Sequence, residues 1–407
     1  MPIPAVAVTG LGLVCPAGVG VDAGWERVCA GAPTAAADPV LAGNPVTISC
    51  RVPGFDPAAL LTARRARRLD RFVQFALVAA REAVTDAGLD PGAWDGARVG
   101  VVLGNTAGGT ATVEEQMRVL LAESPGRVSP LLLPMQLANM VAGTVAIELG
   151  ARGPSLVVAT ACASGTSAVG VARDLLALDR CDVVVTGGSE AMVTPLMMAG
   201  FAQMGALSGR LDDPARASRP FDVDRDGFVA GEGAGVLVLE RVADARARGA
   251  RVRALVAGYG ASADAHHVTA PDPQGRGFEL AIRGALADAG AEPEAVDHVN
   301  AHGTSTPLND VTEARVLRRV LGDTGALVTS TKGVTGHCLG AAGAVEAVFT
   351  VLAVERGLVP PTANLTTLDP EIDLDVAAKP THRRIDLALS NSFGFGGQNA
   401  VLAFRAA

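Results

Sequence analysis

The chain has few aromatic side chains. Only 3% of its 407 residues are Phe, Trp or Tyr, with a single Tyr, although 49% are hydrophobic. Such a core must be filled by Ala, Val and Leu at short range, and the 48 glycines let helices and strands approach closely. An excess of basic charge is also missing. The 34 Lys+Arg stand against 42 Asp+Glu, a net charge of −8, which excludes a nucleic-acid binder whose footprint neutralises phosphates. The cysteines Cys15, Cys29, Cys50, Cys162, Cys181 and Cys338 show no CxxC spacing, so neither a disulfide framework nor a metal ribbon is expected. No apolar run reaches the roughly 18 residues of a membrane helix. The best candidate, Leu131 to Gly150, is broken by Pro134, Gln136, Asn139 and Glu148. The N-terminal MPIPAVAVTGLGL carries no Lys or Arg before its apolar part and reads as a strand, not a signal peptide. These absences imply a soluble, cytoplasmic chain of one large or two ordinary domains, with no membrane or nucleic-acid partner and no bound metal.

What is present alternates. Short β-branched runs at 5–10, 98–104, 155–160, 182–188, 235–240, 252–260, 297–301, 326–331 and 387–392 read as buried strands. Helical periodicities at 72–88, 166–178, 277–290 and 341–357 lie between them. This pattern predicts an α/β protein with mostly parallel sheets covered on both faces. The charged stretch RVADARARGARV suggests a boundary near residue 250, giving halves 1–250 and 251–407 of comparable style.

Four segments could carry chemistry. Cys162 follows a strand and precedes a helix in SLVVATACASGTSAVG, so the helix N-terminus is expected to lower its pKa and make it a nucleophile; a structural buried thiol is the alternative. His302 in NAHGTSTPLND and His337 in STKGVTGHCLGAAGAVE sit in comparable strand-end positions, where reactive groups or satisfied core histidines would look alike. Lys332 and Glu346 flank His337, and helical spacing points Glu346 back toward it, as a catalytic or a merely structural ion pair. The loop NSFGFGGQNA around Phe395 could present N–H groups to an oxyanion, or simply form a tight turn.

In combination, TACASG, NAHGTSTP, TKGVTGHCLGAAGAVE and NSFGFGGQN, in that order, resemble the β-ketoacyl-[acyl carrier protein] synthases. The nearest subtype is similar to synthase II of bacterial fatty acid synthesis and to the ketosynthase subunits of type II polyketide synthases. The stretches 68–80, 187–201, 218–240 and 262–271 support it. The resemblance implies a thiolase fold, five αβαβα layers from two similar halves, and a dimer, either of identical chains or with a chain-length factor. It implies that Cys162 takes an acyl chain from an acyl carrier protein, and that His302 and His337 assist decarboxylation of malonyl carrier and hold the enolate. The N–H groups of Cys162 and Phe395 would hold the tetrahedral oxyanion. Lys332 matches the family lysine, Glu346 its partner, and Thr304 and Thr306 the contacts of the phosphopantetheine arm, which the carrier brings; no other cofactor is implied. Ala107 matches an acyl-pocket position that often holds a larger residue, implying room for longer or stiffer chains. Departures are Gly333, Cys338 and Gln398, which leave the subfamily open.

Arg64, Arg67, Arg68 and Arg71 follow i, i+3, i+4, i+7 and would line one helical face, either solvated or, as Arg64, Arg67 and Arg68 do by resemblance, docking an acidic carrier, with Arg127 as a further contact. Two motifs are declined. Asp222, Asp224, Asp226 and Gly227 imitate a calcium loop, but Gly233 falls where its twelfth ligand belongs, and GNTAGG lacks the Lys of a phosphate loop. The rivals are a polyketide ketosynthase, a thiolase, which the His pair disfavours, and a non-catalytic partner subunit, which Cys162 disfavours.

Overall fold

Ten strands line up in one hydrogen-bonded path in the computed structural model, which describes residues 5–407; Met1 to Pro4, the start of the segment read above as non-signal, lie outside it. The strands are β1 (Val6–Cys15), β2 (Val99–Gly104), β3 (Ser155–Val158), β4 (Val183–Glu190), β5 (Gly233–Arg241), β6 (Ala254–Ala263), β7 (His298–Asn300), β8 (Leu327–Thr329), β9 (Leu387–Gly394) and β10 (Gln398–Arg405). Their order is β3-β2-β4-β5-β1-β6-β10-β9-β7-β8, and a two-residue strand, Gly18–Val19, adds to β1. Counted along the chain, each set of five reads 3-2-4-5-1, and the sets meet where β1 pairs with β6 at Ala7↔Leu255.

The sheet is mixed, which corrects the expectation of mostly parallel strands. Only β2–β3, β2–β4, β7–β8 and β7–β9 run parallel. A parallel neighbour needs a crossover of a dozen residues or so. The link from β9 to β10 is the three-residue turn Phe395–Gly397, so that pair must be antiparallel.

Six helices cover the strands: α1 (Arg71–Asp86), α2 (Met140–Leu149), α3 (Ser164–Ala177), α4 (Arg276–Asp288), α5 (Pro307–Leu321) and α6 (Ala342–Arg356). Helices α1 and α2 pack on the outside of the first five strands, α4 on the outside of the second five with α5 against it, and α3 and α6 lie between the two sets. This is the five-layered αβαβα arrangement of the thiolase fold. The middle layer explains the composition. Helix α6 is buried around its whole circumference from Ala342 to Val354, with Glu346 and Thr350 its only polar side chains there, as a helix enclosed by two sheets must be. It touches α3 closely because position 165 has no side chain: a Cβ on Gly165 would sit 2.7 Å from the Ala344 nitrogen. No described helix is long and apolar enough to cross a membrane.

Candidate active site

The nucleophile candidate stands on an elbow between β3 and α3. Ala161, immediately before Cys162, has φ 47°, a left-handed conformation that costs a side-chain-bearing residue roughly 1 kcal/mol or more. Ser164 holds the bend, accepting from the Thr160 N–H at 2.9 Å and donating to the Ala161 carbonyl at 2.6 Å. The sulfur faces a cavity of about 600 Å³ whose walls include Thr106, Met192, Phe201, Phe228 and Leu339. Burial pushes the Cys162 thiol up to about 11, against the pull of the Lys332 ammonium and of the Phe395 N–H, which donates toward the sulfur. This corrects the expectation of a depressed pKa, because desolvation outweighs the helix terminus. The thiol therefore rests protonated, and its activation falls to the base beside it. His337 Nε2 lies 3.1 Å from Cys162 Sγ.

Both histidines are held as neutral imidazoles. Burial drives their pKa values well below the usual range, and the nearby Lys332 charge adds to it. His302 follows the end of β7 by two residues, and its ring meets that of His337 edge-on at 5.3 Å between centroids. Lys332 Nζ, 3.5 Å from His302 Nδ1, can only donate, so the imidazole proton stays on Nε2. Lys332 is buried and forms an ion pair with Glu346 of α6. Burial raises the Glu346 carboxyl to about 7, opposed by that lysine. The loop after β9 closes the group. A Cβ on Gly394 would come within 2.8 Å of the Thr160 carbonyl and 3.1 Å of the Cys162 nitrogen, so only glycine lets Phe395 reach the nucleophile. Thr304 and Thr306 share a 2.9 Å hydroxyl contact on the cavity wall.

Other expected residues fall elsewhere. Ala107 is not on the cavity wall; it packs in a cluster with Met192, Met198 and Leu339, while its neighbour Thr106 faces the cavity. The arginine run does not form one helical face. Its helix, Ala63–Ala66, stops before Arg67, and Asp70 caps the new helix α1. Arg71 turns inward, donating to the buried Glu232 at 2.9 and 2.6 Å with its guanidinium over the Phe75 ring, so it is a structural anchor. Arg64, Arg67 and Arg68 are exposed, and among the described residues none has an acidic partner, unlike Arg65, which pairs with Glu148. Arg127 is exposed and paired with Glu123 at 2.9 Å. Asp222 spends its carboxylate on the N–H groups of Thr366 and Thr367, and Asp226 on Ser208 and Gly209.

Two carboxylates of the site escaped the sequence reading. Glu313 of α5 accepts the N–H groups of His302 and Gly303, each at 2.8 Å, and so fixes the histidine's backbone. The signal was an acid on an apolar stripe: Glu313 shares its helix face with Leu317 and Val320. Glu190, at the end of β4, accepts from Asn105 and from the Thr106 backbone and hydroxyl, and burial raises it to about 7. Three further oxygens, Asn300 Oδ1, Ser390 Oγ and Glu346 Oε2, are buried without a hydrogen-bond partner, on the paired positions Asn300↔Ser390 and on α6. Oxygens of this kind are the ligands a hard cation takes.

Comparison with known proteins places the chain. A family model for the β-ketoacyl synthase N-terminal domain matches residues 4–245, and one for the C-terminal domain matches residues 253–366. A 3-oxoacyl-[acyl-carrier-protein] synthase 2 of Synechocystis sp. is 46% identical, over 98% of this chain and 97% of that one. Among solved structures, the ishigamide ketosynthase/chain length factor superposes with a TM-score of 0.93 at 35% identity, over 99% of both chains. A type II PKS ketosynthase in complex with its acyl-carrier protein superposes with a TM-score of 0.91 at 34% identity, over 100% of both.

Proposed function

The chain belongs to the β-ketoacyl synthase family, and from that premise we propose that it is a 3-oxoacyl-[acyl-carrier-protein] synthase, an acyltransferase that lengthens an acyl chain by two carbons through decarboxylative Claisen condensation. The observation that carries the reading is a thiol 3.1 Å from a neutral imidazole, beside a second imidazole, at a cavity lined mostly by apolar residues.

In the proposed first half-reaction the Cys162 proton passes to His337 Nε2 and the thiolate attacks the acyl-carrier thioester. The carbonyl oxygen, negative in the tetrahedral state, takes N–H donors from Cys162 and Phe395. Collapse leaves acyl-Cys162 and a carrier thiol that recovers the proton. In the second, malonyl carrier loses carbon dioxide; the electron pair of the broken C–C bond becomes an enolate whose oxygen accepts from the Nε2–H of His302 and from His337 once its ring proton has moved from Nδ1 to Nε2. Its carbon attacks acyl-Cys162, and the sulfur departs as thiolate and regains a proton. Thiolate is both nucleophile and leaving group, so no metal or redox cofactor enters; the phosphopantetheine arm, carried by the substrate, would contact Thr304 and Thr306.

The partners of this reading are an acidic acyl carrier protein and a second subunit. The unpaired charges of Arg64, Arg67 and Arg68 fit the carrier. R67E/R68E is expected to raise KM for carrier-bound substrates and leave acylation by a small thioester mimic unchanged; equal effects on both would remove the docking role. A subunit contact fits the first half, where the outer edge of β3 is unpaired and Leu156, Ile147 and Leu121 are exposed. The second subunit is a copy of this chain or, in a polyketide pathway, a chain-length factor, as in the ishigamide ketosynthase/chain length factor that this chain resembles in structure. Mass spectrometry after incubation with a panel of acyl-carrier proteins tests the whole reading. The expected result is an acyl mass on the Cys162 peptide; no adduct from any donor would defeat it.

A further inference from the structure

The same three side chains have a second chemical capacity. One ligand atom each from Cys162, His302 and His337 lies within 4.8 Å of the others, and all three line the cavity. A tetrahedral zinc ion with bonds of about 2.3 Å to sulfur and about 2.0 Å to nitrogen spans donors separated by roughly 3 to 4 Å, so the trio needs only small side-chain rotations to close on one. We infer that Cys162, His302 and His337 form a three-ligand site for a thiophilic divalent ion such as Zn2+, with the fourth position supplied by the thiol of a phosphopantetheine-bearing carrier.

The surroundings favour this. His337 Nε2 binds without losing a proton, and at His302 the ring proton moves from Nε2 to Nδ1 as Lys332 passes one of its own to Glu346 and accepts in turn. The nearest cation, Lys332, is compensated by its ion pair with Glu346, and its contact with His302 Nδ1 leaves Nε2 to the cavity. The set of one sulfur and two nitrogens with an open position is the arrangement in which zinc keeps an exchangeable ligand. The cavity that admits a carrier thiol to Cys162 brings that thiol to the open position. Binding is balanced: with the His302 proton moved to Nδ1 and one Lys332 proton taken up by Glu346, Zn2+ and Cys162–SH give the Cys162–S–Zn and His302 Nε2–Zn bonds and one released proton, and a carrier thiol releases a second. The metal site rests on geometry alone. Its consequence, inhibition with unacylated carrier locked on the enzyme, rests on the condensing role proposed above.

The test uses the intact protein and Co2+ as an optical probe, then Zn2+. Expected are a thiolate-to-cobalt charge-transfer band, one ion per chain, and release of one proton per ion by calorimetry in two buffers. Zn2+ should slow iodoacetamide alkylation of the Cys162 peptide by about tenfold or more, and H302A and H337A should each weaken that protection by about tenfold or more. Carrier with the phosphopantetheine arm should tighten Zn2+ binding and release a second proton, whereas carrier lacking the arm should not. The proposal is overturned if Zn2+ leaves Cys162 unprotected, if protection in both histidine variants equals that of the wild type, or if the arm makes no difference. The wild-type alkylation assay decides without relying on the folding of any variant. Protection of Cys162 in a protein that shows no condensation with any acyl and malonyl carrier would support the metal site and overturn the condensing role.

Discussion

The two five-strand sets share one topology and place different chemistry at the same strand ends. After the second strand of each, the first set carries Asn105, which donates to Glu190, and Thr106, which lines the cavity, and the second carries His302. After the third, the first set turns through Cys162 straight into α3, while the second meets Lys332 and then inserts the segment with His337 before α6 begins. After the fourth, the first ends in the buried Glu190, and the second in the turn that brings the Phe395 N–H to the sulfur. One half thus supplies the nucleophile and the other the proton chemistry. The lesson is that strand order fixes where reactive groups can stand, and the few residues beyond each strand decide what they do.

If this division of labour holds, the two halves can be broken separately. Cys162→Ala should lower condensation by about a thousandfold or more while leaving release of carbon dioxide from malonyl carrier measurable, since that step uses the other half. Equal loss of both would merge the roles. His302→Ala should cut kcat for condensation by roughly a hundredfold and leave acylation of Cys162, followed as a mass increase, near the wild-type rate.

A smaller effect compares two buried carboxylates. Glu346→Gln strands the Lys332 ammonium and should cost about 3–5 kcal/mol in denaturant unfolding. Glu190→Gln, whose donors are neutral, should cost about 1–3 kcal/mol. The reverse order would show that the lysine pair is not what stabilises Glu346.

The smallest effect is in the pH dependence of stability. Burial raises Glu190 and Glu346 to about 7 in the folded chain from an ordinary 4.5, so they stabilise most below 4.5 and lose that contribution as pH rises to about 7. Burial holds His302 and His337 well below the ordinary 6.5 of an imidazole, so their contribution is present above 6.5 and is lost as pH falls. Between 4.5 and 6.5 the two slopes oppose. Glu190→Gln should therefore make stability fall more steeply on acidification than in the wild type, read from unfolding midpoints across that range.

Much of this arrangement was legible in the letters. Nine of the ten strands and the helices at α1, α3, α4 and α6 follow directly from period and β-branching, and the motifs around Cys162, His302, His337 and Phe395 do converge in space. What escaped depends on contacts between distant segments. Arg71 reads as one of four arginines on a helix; only the break at Arg67 and the approach of Glu232, far along the chain, turn it inward. Glu313 shows its role only because α5 lays it against the His302 backbone. The direction of the Cys162 shift depends on how dry the cavity is, and no local spacing records that.

The shared middle layer has a consequence for biosynthesis. Helix α6 covers the inner face of β5 and β4, yet it lies roughly a hundred residues after β5 in the chain, so several seconds of translation separate them at about 5–20 residues per second. During that interval the finished first half presents an open apolar sheet face. It should behave as a client of chaperones on the ribosome, and a truncated first half should accumulate as aggregate while the full chain folds as one cooperative unit.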